Sequence, residues 1–149
     1  MIWSCLSYYE LNNLVIMYGK QDSAKYCELL KDDLLPFAAV THGENWTYQQ
    51  DNAAIHRSFY PKKWFTDNGV AVLPCPSRSP DLNPIENLWG ILARSVYGNG
   101  RQYQDTVELF EAIVDCWQNI DHSTLENLVG SMQRRCIAVL QKNGGRMTY

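Results

Sequence analysis

The feature that most constrains the fold of this chain is a run of four prolines, Pro74, Pro76, Pro80 and Pro84. Proline lacks the amide hydrogen that helices and central strands donate, so this stretch predicts a stiff loop. The loop follows a short strand predicted at residues 70–73 and precedes a helix that begins near Asn83. The apolar residues of that helix recur at helical spacing and form one stripe: Ile85, Leu88, Trp89, Leu92 and Val96.

The rest of the pattern predicts an α/β chain with the element order β-β-α-β-α-β-α-α-α. Residues 2–9 and 14–18 are rich in aromatic and β-branched side chains, which predicts a β-hairpin that turns at residues 10–13. Asp22 or Ser23 begins a helix that ends at Pro36, and a strand at residues 46–50 follows. Ser58 caps a short helix. Two amphipathic helices end the chain, at residues 107–117 and 125–140.

The composition indicates one folded domain over residues 1–149, because 46% of the residues are hydrophobic and 12% are aromatic. The net charge of −3 gives no argument for a nucleic-acid partner. A local basic cluster of Arg134, Arg135, Lys142 and Arg146 can contact phosphates, although a solvated helix face is the simpler interpretation. Five scattered cysteines predict reduced thiols in an intracellular protein. We expect no targeting segment and no membrane span.

Two carboxylates stand in distinctive settings. Asp51 lies at the end of the predicted strand, and Glu86 lies near the start of the proline-initiated helix. The interval between them allows a crossover from a strand end to a helix start, so both can bind divalent metal ions used in phosphoryl transfer. Each also has a simpler interpretation: Asp51 as a turn former, and Glu86 as the third residue of a capping box begun by Asn83.

Polar and basic residues surround these carboxylates. Asn52 and His56 line the same site, or they are ordinary turn and loop residues. Several cations are candidate phosphate contacts, each unspecific by itself. They are Arg57, Lys62, Lys63, Arg78, Arg134 and Arg135.

In combination these residues resemble the catalytic domain of mariner-superfamily (Tc-type) transposases. The resemblance is carried by Gln49-Gln50-Asp51-Asn52-Ala53-Ala54-Ile55-His56 and by Ser79-Pro80-Asp81-Leu82-Asn83-Pro84-Ile85-Glu86-Asn87-Leu88-Trp89. It implies a ribonuclease-H-like mixed sheet flanked by helices, with additional C-terminal helices. It also implies that Asp51 and Glu86 are the last two members of an Asp-Asp-Glu triad that binds two Mg²⁺ or Mn²⁺ ions.

The resemblance further implies a nuclear protein that cuts and joins DNA at transposon ends, with a homodimer as a further expectation. The family's first Asp lies on a central strand upstream of Trp3, so we expect an N-terminally truncated domain with little activity alone. Without that strand, the hairpin and the strand before Asp51 either pair directly or leave unpaired edges. The alternative function is a transposon-derived module that binds DNA or protein without catalysis. A ribonuclease acting on RNA–DNA hybrids is a more remote alternative.

Overall fold

The computed structural model describes residues 1–76 and 79–141, which form two compact units. Unit 1 comprises Met1–Cys5 and Leu11–Asn83, and unit 2 comprises Leu6–Glu10 and the chain from Pro84 onwards. Whether the two units make a single domain over residues 1–149 stays a prediction. None of the described helices has the length and apolar character needed to cross a membrane.

The secondary structure of unit 1 is mixed. Its strands are β1 (Ile2–Trp3), β2 (Val15–Ile16), β3 (Thr47–Tyr48) and β4 (Ala71–Val72). Its helices are α1 (Ser23–Leu29), a π-helical segment (Leu30–Leu34), α2 (Leu35–His42), α3 (Ala54–Arg57), α4 (Phe59–Asp67) and a 3₁₀ turn (Pro80–Leu82). The described part of unit 2 is helical, with α5 (Pro84–Val96), a 3₁₀ turn (Gly98–Gly100), α6 (Thr106–Gln118), α7 (His122–Gly130) and α8 (Met132–Gln141).

The predicted β-hairpin is confirmed, but its turn lies earlier in the chain. Strands β1 and β2 pair antiparallel, with Ile2 opposite Ile16. The hydroxyl of Ser7 accepts hydrogen bonds from the backbone amides of Tyr9 and Glu10, at 3.1 and 3.0 Å. A serine hydroxyl that satisfies two amides in this way favours a turn over a continuing strand. The predicted turn at residues 10–13 is therefore wrong, and β1 is shorter than the pattern indicated.

The strands of unit 1 form two separate two-stranded sheets. Strand β3 pairs in parallel with β4, with Thr47 opposite Ala71. In the part of the chain that the structure describes, β1 and β3 do not pair, so the alternative in which they pair directly is wrong. Trp3, Val15 and Tyr48, which belong to the two sheets, pack instead against the same core cluster.

Helix α1 begins as predicted, with the carboxylate of Asp22 accepting from the amides of Ala24 and Lys25 at 3.0 Å each. The helix does not end at Pro36, however, because the π-helical segment connects it to α2, which extends to His42. Proline has no amide hydrogen and clashes with the carbonyl four residues earlier in a regular α-helix. The wider π turn just before Pro36 accommodates this defect, so the chain stays helical.

The core of unit 1 forms where α1 packs against α4, and residues of the adjoining π-helical segment belong to the same cluster. Its buried residues are Cys5, Tyr26, Leu29, Leu30, Leu34, Phe65 and Val70. Burial raises the pKa of the Cys5 thiol to about 12, so this side chain is a neutral core residue. All five cysteines are free thiols in this structure.

The helices of unit 2 pack along the stripe predicted for α5. Leu88, Leu92 and Val96 are buried, and the Trp89 ring stacks on Trp117 of α6 with centroids 5.2 Å apart. The helix predicted at residues 125–140 is two helices, because the chain breaks between α7 and α8. The break follows Gly130, because glycine weakens a helix interior. The hydroxyl of Ser131, the next residue, donates to the Leu128 carbonyl at 2.6 Å, which also favours a helix end.

The side-chain cap at the start of α6 predicts a measurable loss of stability when it is removed. The Asp105 carboxylate accepts from the amides of Val107 and Glu108 at 2.8 and 2.9 Å, whereas Asp121 begins α7 without a side-chain cap bond. We expect Asp105→Ala to lower the free energy of unfolding by about 1 kcal/mol, and Asp121→Ala to lower it much less. Denaturant unfolding of both variants measures this difference. Equal losses would contradict the assigned cap.

Candidate functional site

The side chain of Asp51 is fixed at one oxygen and exposed at the other. Asp51 lies just after β3, and its side chain is 55% exposed. Its Oδ1 accepts from the Ala53 amide at 3.1 Å and lies 2.5 Å from Nδ1 of His56. None of the described residues supplies a hydrogen bond to Oδ2. This arrangement orients the carboxylate and leaves one oxygen available for a ligand.

The imidazole of His56 is itself held by an aromatic contact. Its ring stacks on Tyr26 of α1, with centroids 4.1 Å apart and an interplanar angle of 30°. The Tyr26 hydroxyl donates to Oε1 of Gln50 at 2.5 Å and lies 3.3 Å from the Tyr48 hydroxyl. Burial raises the pKa of both phenols, so they remain neutral hydrogen-bonding groups. Helix α1 thereby positions both His56 and the residue before Asp51.

Side-chain amides connect the loops that follow β3 and β4. Nδ2 of Asn52 donates to the carbonyls of Cys75 and Pro76 at 2.8 and 3.2 Å. Nε2 of Gln49 donates to the carbonyl of Leu82 at 2.6 Å. The carboxyl ends of parallel strands meet at one edge of a sheet, where ligands commonly bind. These bonds brace that edge around Asp51.

A cleft of about 490 Å³ opens beside Asp51 within unit 1. Its polar and charged lining includes Asp51, Asn52, His56, Arg57 and Lys62. Its apolar lining comes from Phe65, Val70, Val72 and Leu73. Across the described ranges, neither Arg57 nor Lys62 has a carboxylate partner. The cleft therefore combines an anionic ligand group with cations that can attract phosphate.

Glu86 lies in the first turn of α5, in unit 2, and is exposed. A capping box requires its carboxylate to accept from the Asn83 amide. That amide donates instead to the Pro80 carbonyl at 3.0 Å, so the capping-box interpretation of Glu86 is wrong. Residues 1–76 and 79–141 contain no group of three His, Cys, Asp or Glu side chains able to hold a metal ion. A metal site shared by Asp51 and Glu86 stays a prediction.

The other predicted phosphate contacts differ in their surroundings. Nζ of Lys63 forms an ion pair with Asp67 at 2.8 Å, one helical turn away. Arg135 is buried, with only 6% exposed, and its guanidinium donates to Oδ1 of Asn87 at 2.5 Å. Its donors are thus used inside unit 2, which leaves the exposed Arg134 as the better candidate of the two. Three further cations lie outside the described residues: Arg78, Lys142 and Arg146.

Two residues that support the site were not predicted from the sequence. Tyr26 belongs to the buried face of α1, and no local pattern separates it from an ordinary core residue. Gln50 immediately precedes Asp51, and this adjacency was the available signal. Their contact spans 24 positions in sequence, so only the folded chain brings them together.

Comparison with solved structures identifies the fold. The chain is similar to the catalytic domain of Mos1 mariner transposase, with a TM-score of 0.84 and 15% identity, over 99% of this chain and 74% of that one. A Mos1 catalytic-domain structure with Raltegravir and Mg matches with a TM-score of 0.85 and 14% identity, over 99% and 75%. A Mos1 paired-end complex with the left transposon end matches with a TM-score of 0.83 and 14% identity, over 99% of this chain and 44% of that one. The predicted ribonuclease-H-like α/β fold is confirmed.

Sequence comparison then identifies the family. Residues 7–109 match the DDE superfamily endonuclease model, and the chain belongs to this family. It is 34% identical over 149 residues to the Tc3 transposase of Caenorhabditis elegans, covering all of this chain and 45% of that protein. It is 35% identical to the Tcb2 transposase of Caenorhabditis briggsae, covering 100% and 54%. The chain therefore spans about half the length of these relatives.

Proposed function

We propose that this chain is the catalytic region of a DNA transposase, in which Asp51 and Glu86 bind divalent metal ions for DNA strand cleavage and strand transfer. The observation that carries the proposal is the Asp51 carboxylate, which has one oxygen held by His56 and the other facing no partner in the described chain. Membership of the DDE endonuclease family and the similarity to Tc-type transposases support it.

The available donors fit Mg²⁺ or Mn²⁺, because both metals accept carboxylate oxygens as ligands. Asp51 and Glu86 are the residues proposed to hold them, and two ions are expected by analogy with the family. Structures of the Mos1 catalytic domain with Mg and with Mn support this choice. When bound, such ions activate a water or a 3′-hydroxyl and stabilise the leaving oxygen.

The remaining residues of the site orient the Asp51 carboxylate and attract phosphate groups. His56 and the Ala53 amide hold the Asp51 carboxylate in one orientation. Arg57 and Lys62 are cations without a described carboxylate partner, so they can contact the phosphates of DNA beside the cleft. DNA is therefore the proposed partner, and the Mos1 complex with a transposon end supports this choice. The homodimer and the nuclear location stay predictions.

A plasmid-nicking assay tests the proposed activity. We expect these 149 residues to nick supercoiled DNA slowly in Mg²⁺ and not at all in EDTA, because nicking requires the metal ions that Asp51 and Glu86 are proposed to hold. Asp51→Asn should abolish nicking, whereas Asp67→Asn should not. Asp67 is a matched control because its side chain is 54% exposed, against 55% for Asp51. Equal nicking by all three proteins would contradict an active site at Asp51, and rapid nicking would contradict the expected low rate.

The non-catalytic DNA-binding module has less support from the described residues. The basic cluster near the chain end favours this module. Within the cluster, however, the Arg135 guanidinium is already hydrogen-bonded to Asn87. DNA binding that falls steeply with salt and survives Asp51→Asn, in a chain that shows no Asp51-dependent metal binding, would favour this alternative. Metal binding that depends on Asp51 would favour the transposase.

A further inference from the structure

One face of α4 exposes an aromatic ring among cations. Phe59 is 80% exposed, although phenylalanine is among the residue types most often buried. Residues three and four apart on a helix are neighbours, so Phe59 lies beside Lys62 and Lys63. Pro61 and Phe65 are buried, so they form the opposite side of the same helix. We refer to Phe59, Lys62, Lys63 and Thr66 as the α4 face.

The α4 face is continuous with the cleft beside Asp51. Lys62 and Thr66 belong to this face and also line the cleft, together with Arg57 at the end of α3. Lys63 is paired with Asp67, whereas Lys62 and Arg57 have no carboxylate partner in the described parts of the chain. A polyanion that enters the cleft therefore meets these two cations and passes close to the Phe59 ring.

We propose that the α4 face binds an unpaired segment of DNA, with the Phe59 ring stacked on a base and Lys62 and Arg57 contacting the adjacent phosphates. This inference rests on the proposed function, because it places the segment next to the strand that is cut at Asp51. Sites for single-stranded nucleic acids combine a cationic groove with aromatic rings on which bases stack. Tyr60, which is 55% exposed, adds a second ring on the neighbouring side of α4.

A single-stranded ligand fits this face better than a duplex or a protein. The bases of a duplex are already stacked on one another, so an exposed ring gains a partner only where the strands separate. The central part of a protein–protein interface is depleted in lysine, whereas Lys62 and Lys63 flank Phe59 directly. The ring and the cations together therefore favour an unpaired nucleic-acid strand.

Fluorescence anisotropy with a short labelled oligonucleotide tests the inference, in EDTA so that no metal ion is required. We expect Phe59→Ala to weaken binding of the single strand by at least about fivefold, and Phe59→Trp to retain it. Phe59→Leu keeps an apolar side chain without the aromatic face, and should weaken binding as Phe59→Ala does. The matched control is Tyr18→Ala, because Tyr18 is 78% exposed and lies outside the α4 face; it should bind as the unchanged chain does.

A second measurement separates stacking from charge. Lys62→Ala should reduce the slope of log affinity against log salt by about 0.7, the change expected when one phosphate contact to a single strand is lost. Phe59→Ala should leave this slope unchanged and should not weaken binding of a duplex of the same sequence. Melting curves check that each variant is folded, as expected for a side chain with little core contact.

The inference is overturned if Phe59→Ala binds the single strand as tightly as the unchanged chain, or if it weakens single strand and duplex equally. It is also overturned if Phe59→Leu binds normally, because an apolar contact would then replace stacking. If Asp51→Asn loses metal binding but Phe59→Ala binds the single strand normally, this inference is wrong and the proposed function stands. The reverse pattern, with Phe59 required and Asp51 dispensable, contradicts the proposed function and supports the DNA contact.

Discussion

Replacing Asp51 with asparagine is expected to lower the affinity of the chain for Mn²⁺ by about 100-fold or more. Loss of a residue that only orients a metal ligand typically costs 10- to 100-fold in affinity, so loss of the ligand itself should cost at least the upper value. The substitution keeps the size of the side chain and removes its negative charge. Isothermal titration calorimetry measures the change directly, without requiring the chain to cleave DNA.

The control for this experiment is Asp67→Asn. Asp67 is as exposed as Asp51 but is paired with Lys63 on α4. It should bind Mn²⁺ as the unchanged chain does. If both substitutions have the same small effect, the carboxylate of Asp51 is a turn-forming group, and the metal-dependent function is wrong.

Replacing His56 with phenylalanine is expected to lower the Mn²⁺ affinity by about tenfold. A phenyl ring can keep the stack on Tyr26 but has no nitrogen to donate to the Asp51 carboxylate. Without that hydrogen bond the carboxylate samples several orientations and binds a metal ion less well. The same calorimetric titration measures the effect, and thermal melting separates it from a loss of stability.

A complementary substitution distinguishes positioning from packing at this residue. His56→Asn removes the ring but returns an N–H donor close to the place of Nδ1, so it should recover part of the affinity that His56→Phe loses. It should also lower the melting temperature more than His56→Phe does, because the stack on Tyr26 is absent. If His56→Phe binds Mn²⁺ normally, the 2.5 Å contact with Asp51 has no role in metal binding.

The elements that the sequence predicted well are those specified by local patterns. Helix α5 begins at Pro84 and buries Leu88, Leu92 and Val96, as proline placement and helical spacing predicted. The break near Gly130 and the helix that passes Pro36 were missed. At Gly130 a helix ends although the apolar pattern continues beyond it. At Pro36 the chain stays helical, because the preceding π turn accommodates a residue that usually ends a helix.

The candidate site was likewise predictable only where local sequence specified it. Asp51, Asn52, His56, Arg57 and Lys62 were selected from the sequence, and the structure places all five around one cleft. The pairing of Lys63 with Asp67 was also readable, because a Lys and an Asp four positions apart face each other on a helix. The support from Tyr26 and Gln50 was not readable, since it depends on a contact between α1 and the end of β3.

The central claim is that Asp51 and Glu86 bind the same divalent metal ions, and paramagnetic relaxation by Mn²⁺ tests it most directly. In ¹H–¹⁵N spectra of the labelled chain, amide signals near both residues should broaden together at the same Mn²⁺ concentration. Glu86→Gln should remove the broadening around Asp51 as well as around position 86. Broadening around only one of the two residues, or broadening around Asp51 that persists in Glu86→Gln, would contradict a shared site.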